Sequence, residues 1–159
     1  MMDLKTFRRG EVIFRQGDAG DCMYDIQQGR VGIYYDYDGP DEKLLAELYP
    51  DKIFGEMGLL DAAPRSATAV AMEDDTVLYA ISEEEFFSYF ETNPSKVLLL
   101  MQQMCSRLRR TSRDYVEACR TMYETVETQN SGKKKSLSLK DAIRRFSEYY
   151  KGFDYFAHY

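Results

Sequence analysis

The first 81 residues alternate short apolar runs with turn residues. Branched and aromatic side chains concentrate in EVIF, MYDIQQG, RVGIYYDYD, KLLAELY, ATAVAMEDD and TVLYAI. Gly10, QGDAGD, Gly29, DYDGPDE and YPD separate these runs with residues that favour turns. Strands at this regular spacing, without a helix-length pattern between them, predict an all-β barrel or jelly roll from Phe7 to about Ile81. DYDGPDE is predicted to be a hairpin tip.

From Ser82 onward the apolar spacing becomes helical. The segment SEEEFFSYF begins with a capping box, in which Ser82 is the N-cap and Glu85 follows three residues later. Phe86 and Phe90 share one face of this predicted helix, which ends near Asn93. Because Asn favours the N-cap and Pro the first helical position, Asn93 and the proline after it predict the start of a second helix.

The second predicted helix is the longest element of the chain. It runs from residue 95 to residue 128, which corresponds to about 50 Å at 1.5 Å per residue. Its seam follows a strict four-three spacing through Val97, Met101, Met104, Leu108, Thr111, Tyr115, Ala118 and Met122. This spacing is typical of a coiled coil, and one small barrel cannot cover so long a helix. We therefore predict a parallel homodimer; the alternative is a helix packed only on its own domain.

The sequence divides into three predicted parts: a β domain (1–93), the long helix (94–130) and a C-terminal region (131–159). The C-terminal region begins with the linker NSGKKKS and continues as an amphipathic helix with apolar residues at 139, 143, 146 and 150. The first 130 residues hold 14 Lys and Arg against 24 Asp and Glu, whereas the last 29 hold 7 against 3. The basic tail could dock on its own acidic body, engage another protein, or lie on a membrane or nucleic acid.

Composition excludes several classes of function. Cys22, Cys105 and Cys119 are odd in number and form no CxxC pair, which indicates reduced thiols in the cytosol rather than disulfides or a zinc site. No apolar run resembles a signal peptide or could span a bilayer. His158 is the only histidine and lies one residue from the C-terminus, and no Walker-type loop is present. We therefore expect no catalysis, no metal and no cofactor.

One segment, FGEMGLLDAAPRSATA, places two opposite charges in an otherwise uncharged and largely apolar stretch up to Ala69, apart from Asp61. A short helical turn after Gly55 would direct backbone N–H groups at a common point, and glycines allow an anion to approach closely. Arg65 would offer phosphate a planar fork, and Glu56 would accept a hydrogen bond from a sugar hydroxyl. A cyclic nucleoside monophosphate satisfies both groups. The alternative is a buried Glu56–Arg65 ion pair.

FGEMGL followed, after five residues, by RSATAVA resembles the phosphate-binding cassette of the cyclic-nucleotide-binding domain family. GDAGD and MYDIQQG, upstream of the cassette, agree with this resemblance, which covers residues 7 to about 116. The resemblance implies a β-roll, a short cassette helix and C-terminal helices, with Glu56 on the ribose 2′-hydroxyl and Arg65 on the cyclic phosphate. The rest of the implied ligand-binding set is Gly55, Met57, Gly58, Leu59, Ser66 and Ala67. Asp25 departs from the apolar strand of the family and is expected to be exposed.

Residues 93–116 also resemble the long dimerisation helix of the catabolite activator protein (Crp/Fnr-like) branch. This resemblance implies that Thr111 and Ser112 read the adenine amino group, one residue from each subunit. Alternatively, Thr111 is an ordinary polar seam residue that sets the register of the coiled coil. Ser66 does not decide between adenine and guanine. Cyclic AMP is the favoured ligand, since the resemblance places Thr111 and Ser112 at the adenine amino group, and cyclic GMP is the second.

Transcription factors of this branch carry a helix-turn-helix domain after the long helix. The residues after 130 are expected to be too few for such a domain, so direct DNA binding is predicted to be absent. The sequence predicts a cytoplasmic, homodimeric cyclic-nucleotide receptor that acts through an unknown partner protein. The alternatives are a ligand-free structural interaction module and a Crp/Fnr-like regulator that acts through its atypical tail.

Overall fold

The computed structural model describes the backbone of residues 3–130 and the side chains of residues 3–125. In this part of the chain a series of strands precedes two consecutive helices. The strands are β1 (Asp3–Phe7), β2 (Val12–Phe14), β3 (Cys22–Gln28), β4 (Val31–Tyr35), β5 (Lys43–Leu48), β6 (Ile53–Phe54), β7 (Thr68–Ala71) and β8 (Thr76–Ser82). The helices are α1 (Glu56–Leu60), which lies between β6 and β7, α2 (Phe86–Thr92) and α3 (Pro94–Asn130).

The strands form two four-stranded sheets, ordered β1-β8-β3-β6 and β2-β7-β4-β5, and their pairs are antiparallel. This arrangement, followed by the long helix, confirms the predicted β-roll. Two strands were not predicted. The first, β1, is an edge strand that is largely exposed and pairs with β8, so the segment DLKTF shows little apolar alternation. The other, β6, has only two residues, too few for a pattern.

Strand β3 is buried on both of its faces. Tyr24 and Ile26 lie in the main apolar cluster of the roll, together with Val31, Phe54, Ala69, Leu78 and Ala80. Met23 faces the other way, into a second cluster with Ile53, Ile81, Tyr89 of α2 and Leu100 of α3. Because successive residues of a strand point to opposite faces, the second cluster shows that α2 and the start of α3 cover the outer side of β3.

The prediction that Asp25 is exposed was wrong. Its exposed fraction is 3%. The carboxylate lies on the outer face of β3 and accepts hydrogen bonds from the Tyr89 hydroxyl (2.7 Å) and the Lys96 ammonium (2.9 Å). A charged residue within a strand suggested exposure, but the local sequence could not show that two later helices cover that position.

The connection between the helices differs from the prediction in detail. The capping box forms between Ser82 and Glu85, and Glu85 N–H donates to Ser82 Oγ at 3.4 Å, but α2 itself begins only at Phe86. Asn93 ends α2, and its side-chain amide donates to the carbonyl of Tyr89 at 2.9 Å. The first helical residue of α3 is Pro94, as predicted. The side chain of Asn93 therefore caps the preceding helix.

The chain forms two compact units, of which the first ends at Met101 and the second begins at Gln102. The first unit contains the β-roll, α2 and the first two turns of α3. The predicted basic linker and third helix, residues 131–159, lie outside the described residues. The three-part division of the sequence stays a prediction.

Candidate functional site

The segment that carries Glu56 and Arg65 folds as a strand, one helical turn and a return to a strand. Gly55 precedes α1 with φ of 74°, in the left-handed region that a residue without a Cβ enters at little cost. This conformation turns the chain sharply from β6 into α1. Glu56 is the first residue of α1, where the helix dipole favours a negative charge. The predicted short turn of helix is therefore present.

Two glycines allow the loop GDAGD to pack directly on α1. A Cβ built on Gly20 would lie 2.6 Å from the Cα of Gly58, closer than two such carbon atoms can approach. The loop is also fixed by Arg65, whose N–H donates to the Asp18 carbonyl at 2.8 Å and whose carbonyl accepts from Gly17 N–H at 2.9 Å. GDAGD thus positions both ends of the cassette.

We expect Gly20→Ala to destabilise the protein by about 1–3 kcal/mol, since the added methyl group forces two backbones apart. The urea-unfolding midpoint measures this effect. Ala19→Val is the matched control, because it adds carbon to the exposed neighbouring residue of the same loop. Equal midpoints for Gly20→Ala and the wild type would show that the loop is not held against α1.

Arg65 is buried inside the cassette, with 2% of its side chain exposed. Its Nη1 donates to the Gly55 carbonyl at 2.7 Å, and its Nη2 donates to the Cys22 carbonyl at 2.6 Å. The guanidinium also forms an ion pair with the exposed carboxylate of Asp21, at 3.8 Å. The Nε of Arg65 is buried without a hydrogen-bond partner. The side chain is therefore fixed in one orientation and retains an unused donor.

An aromatic platform supports the guanidinium. The Cζ of Arg65 lies 4.4 Å from the centroid of the Phe14 ring, an attractive cation–π geometry. Phe14 packs on Tyr24 and Phe54, with ring centroids 6.0 and 5.9 Å away. The pKa of Tyr24 is raised mainly by burial and, to a smaller extent, by the hydrogen bond with Cys22, so its hydroxyl is neutral. The guanidinium therefore packs against a cluster of three aromatic rings.

Glu56 is also buried, with an exposed fraction of 1%. It directly follows Gly55, whose carbonyl accepts the hydrogen bond from Arg65, so both charges belong to one small site. Leu59 directs its side chain into the second apolar cluster. The other predicted positions in this segment, Met57, Gly58, Ser66 and Ala67, lie on α1 or directly before β7. Their contacts with a ligand stay predictions.

The two predicted base-reading residues lie elsewhere on the chain. Thr111 is partly buried and Ser112 is exposed, both on α3. They belong to the unit that begins at Gln102. Their role stays a prediction.

Sequence reasoning missed the residues that hold Arg65. Cys22 acts through its carbonyl, which no sequence motif reveals, and Phe14 comes from a strand that pairs with β7. Asp21 belongs to the quoted loop GDAGD, so a charge partner for Arg65 could have been sought there. Among the described residues, no group of three potential metal ligands is found, and no helix is long and apolar enough to cross a membrane.

Comparison with known proteins gives a consistent result. Residues 4–93 match the family described as cyclic nucleotide-binding domain. The chain is 38% identical over 105 residues to the cyclic AMP receptor protein of Thermus thermophilus, covering 66% of this chain and 48% of that protein. It is 37% identical over 68 residues to the cAMP-dependent protein kinase regulatory subunit of Dictyostelium discoideum, covering 43% of this chain and 21% of that protein.

A solved structure extends the likeness to the fold. The crystal structure of the Thermus thermophilus catabolite activator protein superposes with a TM-score of 0.65 at 26% identity, covering 98% of this chain and 78% of that chain. The chain spans about half the length, or less, of the curated relatives that it matches.

Proposed function

Since the chain belongs to the cyclic nucleotide-binding domain family, we propose that it is a cytoplasmic receptor for a cyclic nucleotide. Cyclic AMP is the favoured ligand and cyclic GMP the second. The observation that carries this proposal is the buried pair of opposite charges in the cassette. Arg65 and Glu56 are each almost fully buried, and two backbone carbonyls hold the arginine in addition to the exposed carboxylate of Asp21.

The chemistry of the pair suits a ligand that carries an anion and a hydroxyl close together. A guanidinium with an unused N–H is a donor for a phosphate oxygen, and such charge-assisted bonds are about twice as strong as neutral ones. The Glu56 carboxylate would accept a hydrogen bond from the ribose 2′-hydroxyl. Backbone groups of Gly58 and Ala67, close to these two side chains in sequence, complete the proposed cradle.

Two considerations favour cyclic AMP over cyclic GMP. The named relatives are a cyclic AMP receptor protein and a regulatory subunit of a cAMP-dependent kinase. In addition, Thr111 and Ser112 are the residues that we propose to contact the adenine amino group. These relatives are a receptor and a regulatory subunit, which supports a role in binding and regulation rather than catalysis.

We propose that output passes through a homodimer and a partner protein. Six of the eight seam side chains on α3 are exposed in the single chain: Val97 (40%), Met101 (58%), Met104 (42%), Leu108 (68%), Tyr115 (47%) and Met122 (39%). Between them Thr111 is partly buried and Ala118 is buried, so the exposed apolar positions fall into three groups: residues 97–108, Tyr115 and Met122. Free thiols at Cys22, Cys105 and Cys119 fit a reducing cytosol.

The function is tested by isothermal titration with cyclic AMP, cyclic GMP and 2′-deoxy cyclic AMP. We expect Glu56→Gln to weaken cyclic AMP binding by about 10- to 100-fold, because a hydrogen bond to a charged group contributes about 1.5–3 kcal/mol. We also expect the wild type to lose a similar factor when the 2′-hydroxyl is removed. The Glu56→Gln variant should distinguish cyclic AMP from its 2′-deoxy analogue by a smaller factor than the wild type does, because the glutamine amide oxygen accepts only a weaker, neutral hydrogen bond.

The matched control is Glu83→Gln, which changes an exposed carboxylate outside the cassette and should leave every affinity unchanged. Titrations that are silent for all three nucleotides, with no shift in melting temperature, would reject the receptor and favour the interaction module. A Glu56→Gln variant that distinguishes the deoxy ligand by the full wild-type factor would reject the role given to Glu56.

A further inference from the structure

A buried polar cluster joins the β-roll to the two helices that follow it. The Asp25 carboxylate of β3 accepts hydrogen bonds from Tyr89 of α2 (2.7 Å), from Lys96 of α3 (2.9 Å) and from Gln27 Nε2 (3.0 Å). The Lys96 ammonium also contacts Asp51, in the turn before β6, at 3.2 Å. These contacts thus link one strand and one turn to α2 and to the start of α3.

One end of the cluster is buried, and the other end is exposed to solvent. The side chain of Asp25 is 5% exposed and that of Lys96 is 14% exposed, whereas that of Asp51 is 85% exposed. Burial, followed by the hydrogen bond to Asp25, raises the pKa of Tyr89, so its hydroxyl keeps the proton that it donates. Lys96 therefore lies at the border, where water can replace it.

Partial separation of such a cluster carries a specific penalty. A buried carboxylate that loses its partners in a dry site is strongly unfavourable. When the helices separate fully, water hydrates both Asp25 and Lys96, and that penalty disappears. Partial displacement is thus the costly arrangement, and this favours two distinct states, docked and released.

We propose that Asp25, Tyr89 and Lys96 form a polar latch that holds α2 and the first turns of α3 on the β-roll and releases them as one unit. The break between the helices at Asn93 leaves α2 and α3 as separate rods, and the latch binds both rods to the same carboxylate. The latch therefore makes the docking of the two helices cooperative.

The latch lies next to the cassette. Leu59 of α1 packs against the second apolar cluster, which contains Tyr89 and Leu100 beside the latch. A ligand that shifts α1 would therefore change the packing around the latch and bias its two states. This last step rests on the proposed function; the latch itself does not.

Hydrogen–deuterium exchange of the full chain without nucleotide tests the latch. We expect Lys96→Met to accelerate exchange in residues 96–101 and in α2 together, by about 10- to 100-fold, while β8 exchanges as in the wild type. Asp25→Asn, which removes the charge and keeps the shape, should act in the same direction with a smaller factor. Lys52→Met changes an exposed lysine of the neighbouring turn and serves as the matched control.

The double variant Asp25→Leu/Lys96→Met separates the latch from a general loss of stability. Replacing a buried ion pair by apolar residues often preserves stability, so slow exchange should return in the double variant. Adding cyclic AMP should then change exchange in residues 96–101 of the wild type and leave the double variant unchanged. If the wild type binds no nucleotide, the proposed function is rejected. The exchange rates of the wild type and the variants without nucleotide still test the latch. The proposal would be overturned if Lys96→Met exchanges at the wild-type rate, or if its exchange is accelerated in β8 as much as in the two helices.

Discussion

Arg65→Ala is expected to reduce the affinity for cyclic AMP by at least about 100-fold, the largest effect of any single substitution in the cassette. Two hydrogen bonds from a guanidinium to phosphate contribute about 3–6 kcal/mol together, and alanine supplies neither. The variant should also be less stable, since the carbonyls of Gly55 and Cys22 lose their donors. Titration calorimetry gives the affinity, and a melting temperature above the working temperature confirms that the variant is folded.

Two further variants separate charge from folding. Arg65→Lys keeps the positive charge but lacks the planar fork, so we expect intermediate binding. Arg30→Ala removes an arginine that is paired with Glu47 (3.1 Å) and Glu73 (3.2 Å), away from the cassette, and should leave affinity unchanged. A folded Arg65→Ala protein that binds cyclic AMP like the wild type would remove the central residue of the proposed site.

The cassette could be predicted because its determinants are local. Gly55, Glu56 and Arg65 lie within eleven residues, and the turn and the short helix follow from their order. The long helix was predictable for the same reason, since its start at Pro94 and its apolar spacing are sequence features. Local chemistry thus predicted the elements that carry the cassette.

The surroundings of Arg65 could not be predicted because they depend on strand pairing. Phe14 reaches the guanidinium through the pairing of β2 with β7, and the Cys22 carbonyl reaches it from β3. Asp25 shows the same limit more sharply: its burial depends on Tyr89 and Lys96, which follow it by 64 and 71 residues. Contacts over such distances arise from the packing of whole elements.

Most of the apolar seam of α3 is exposed in the single chain. Leu108 is 68% exposed in the single chain, the largest value on the seam. A side chain of this size gains about 1.5–3 kcal/mol when it is removed from water, and in a homodimer each copy contributes once. Exposed apolar residues in heptad register on a 37-residue helix are therefore the observation on which the proposed homodimer rests.

Leu108→Glu is accordingly expected to convert a dimer into a monomer, with a dissociation constant raised at least about 100-fold. The variant loses apolar burial from both copies and places two like charges on the seam, whereas the single chain, in which Leu108 is exposed, keeps its fold. Analytical ultracentrifugation over a concentration series measures the change.

Val116→Glu is the matched control, because Val116 is 63% exposed on the same helix but lies off the seam. If both variants dissociate equally, or if the wild type is monomeric throughout, α3 does not form the proposed coiled coil. Retained nucleotide binding in the monomeric variant would then show that Thr111 and Ser112 of a second copy are dispensable for the ligand.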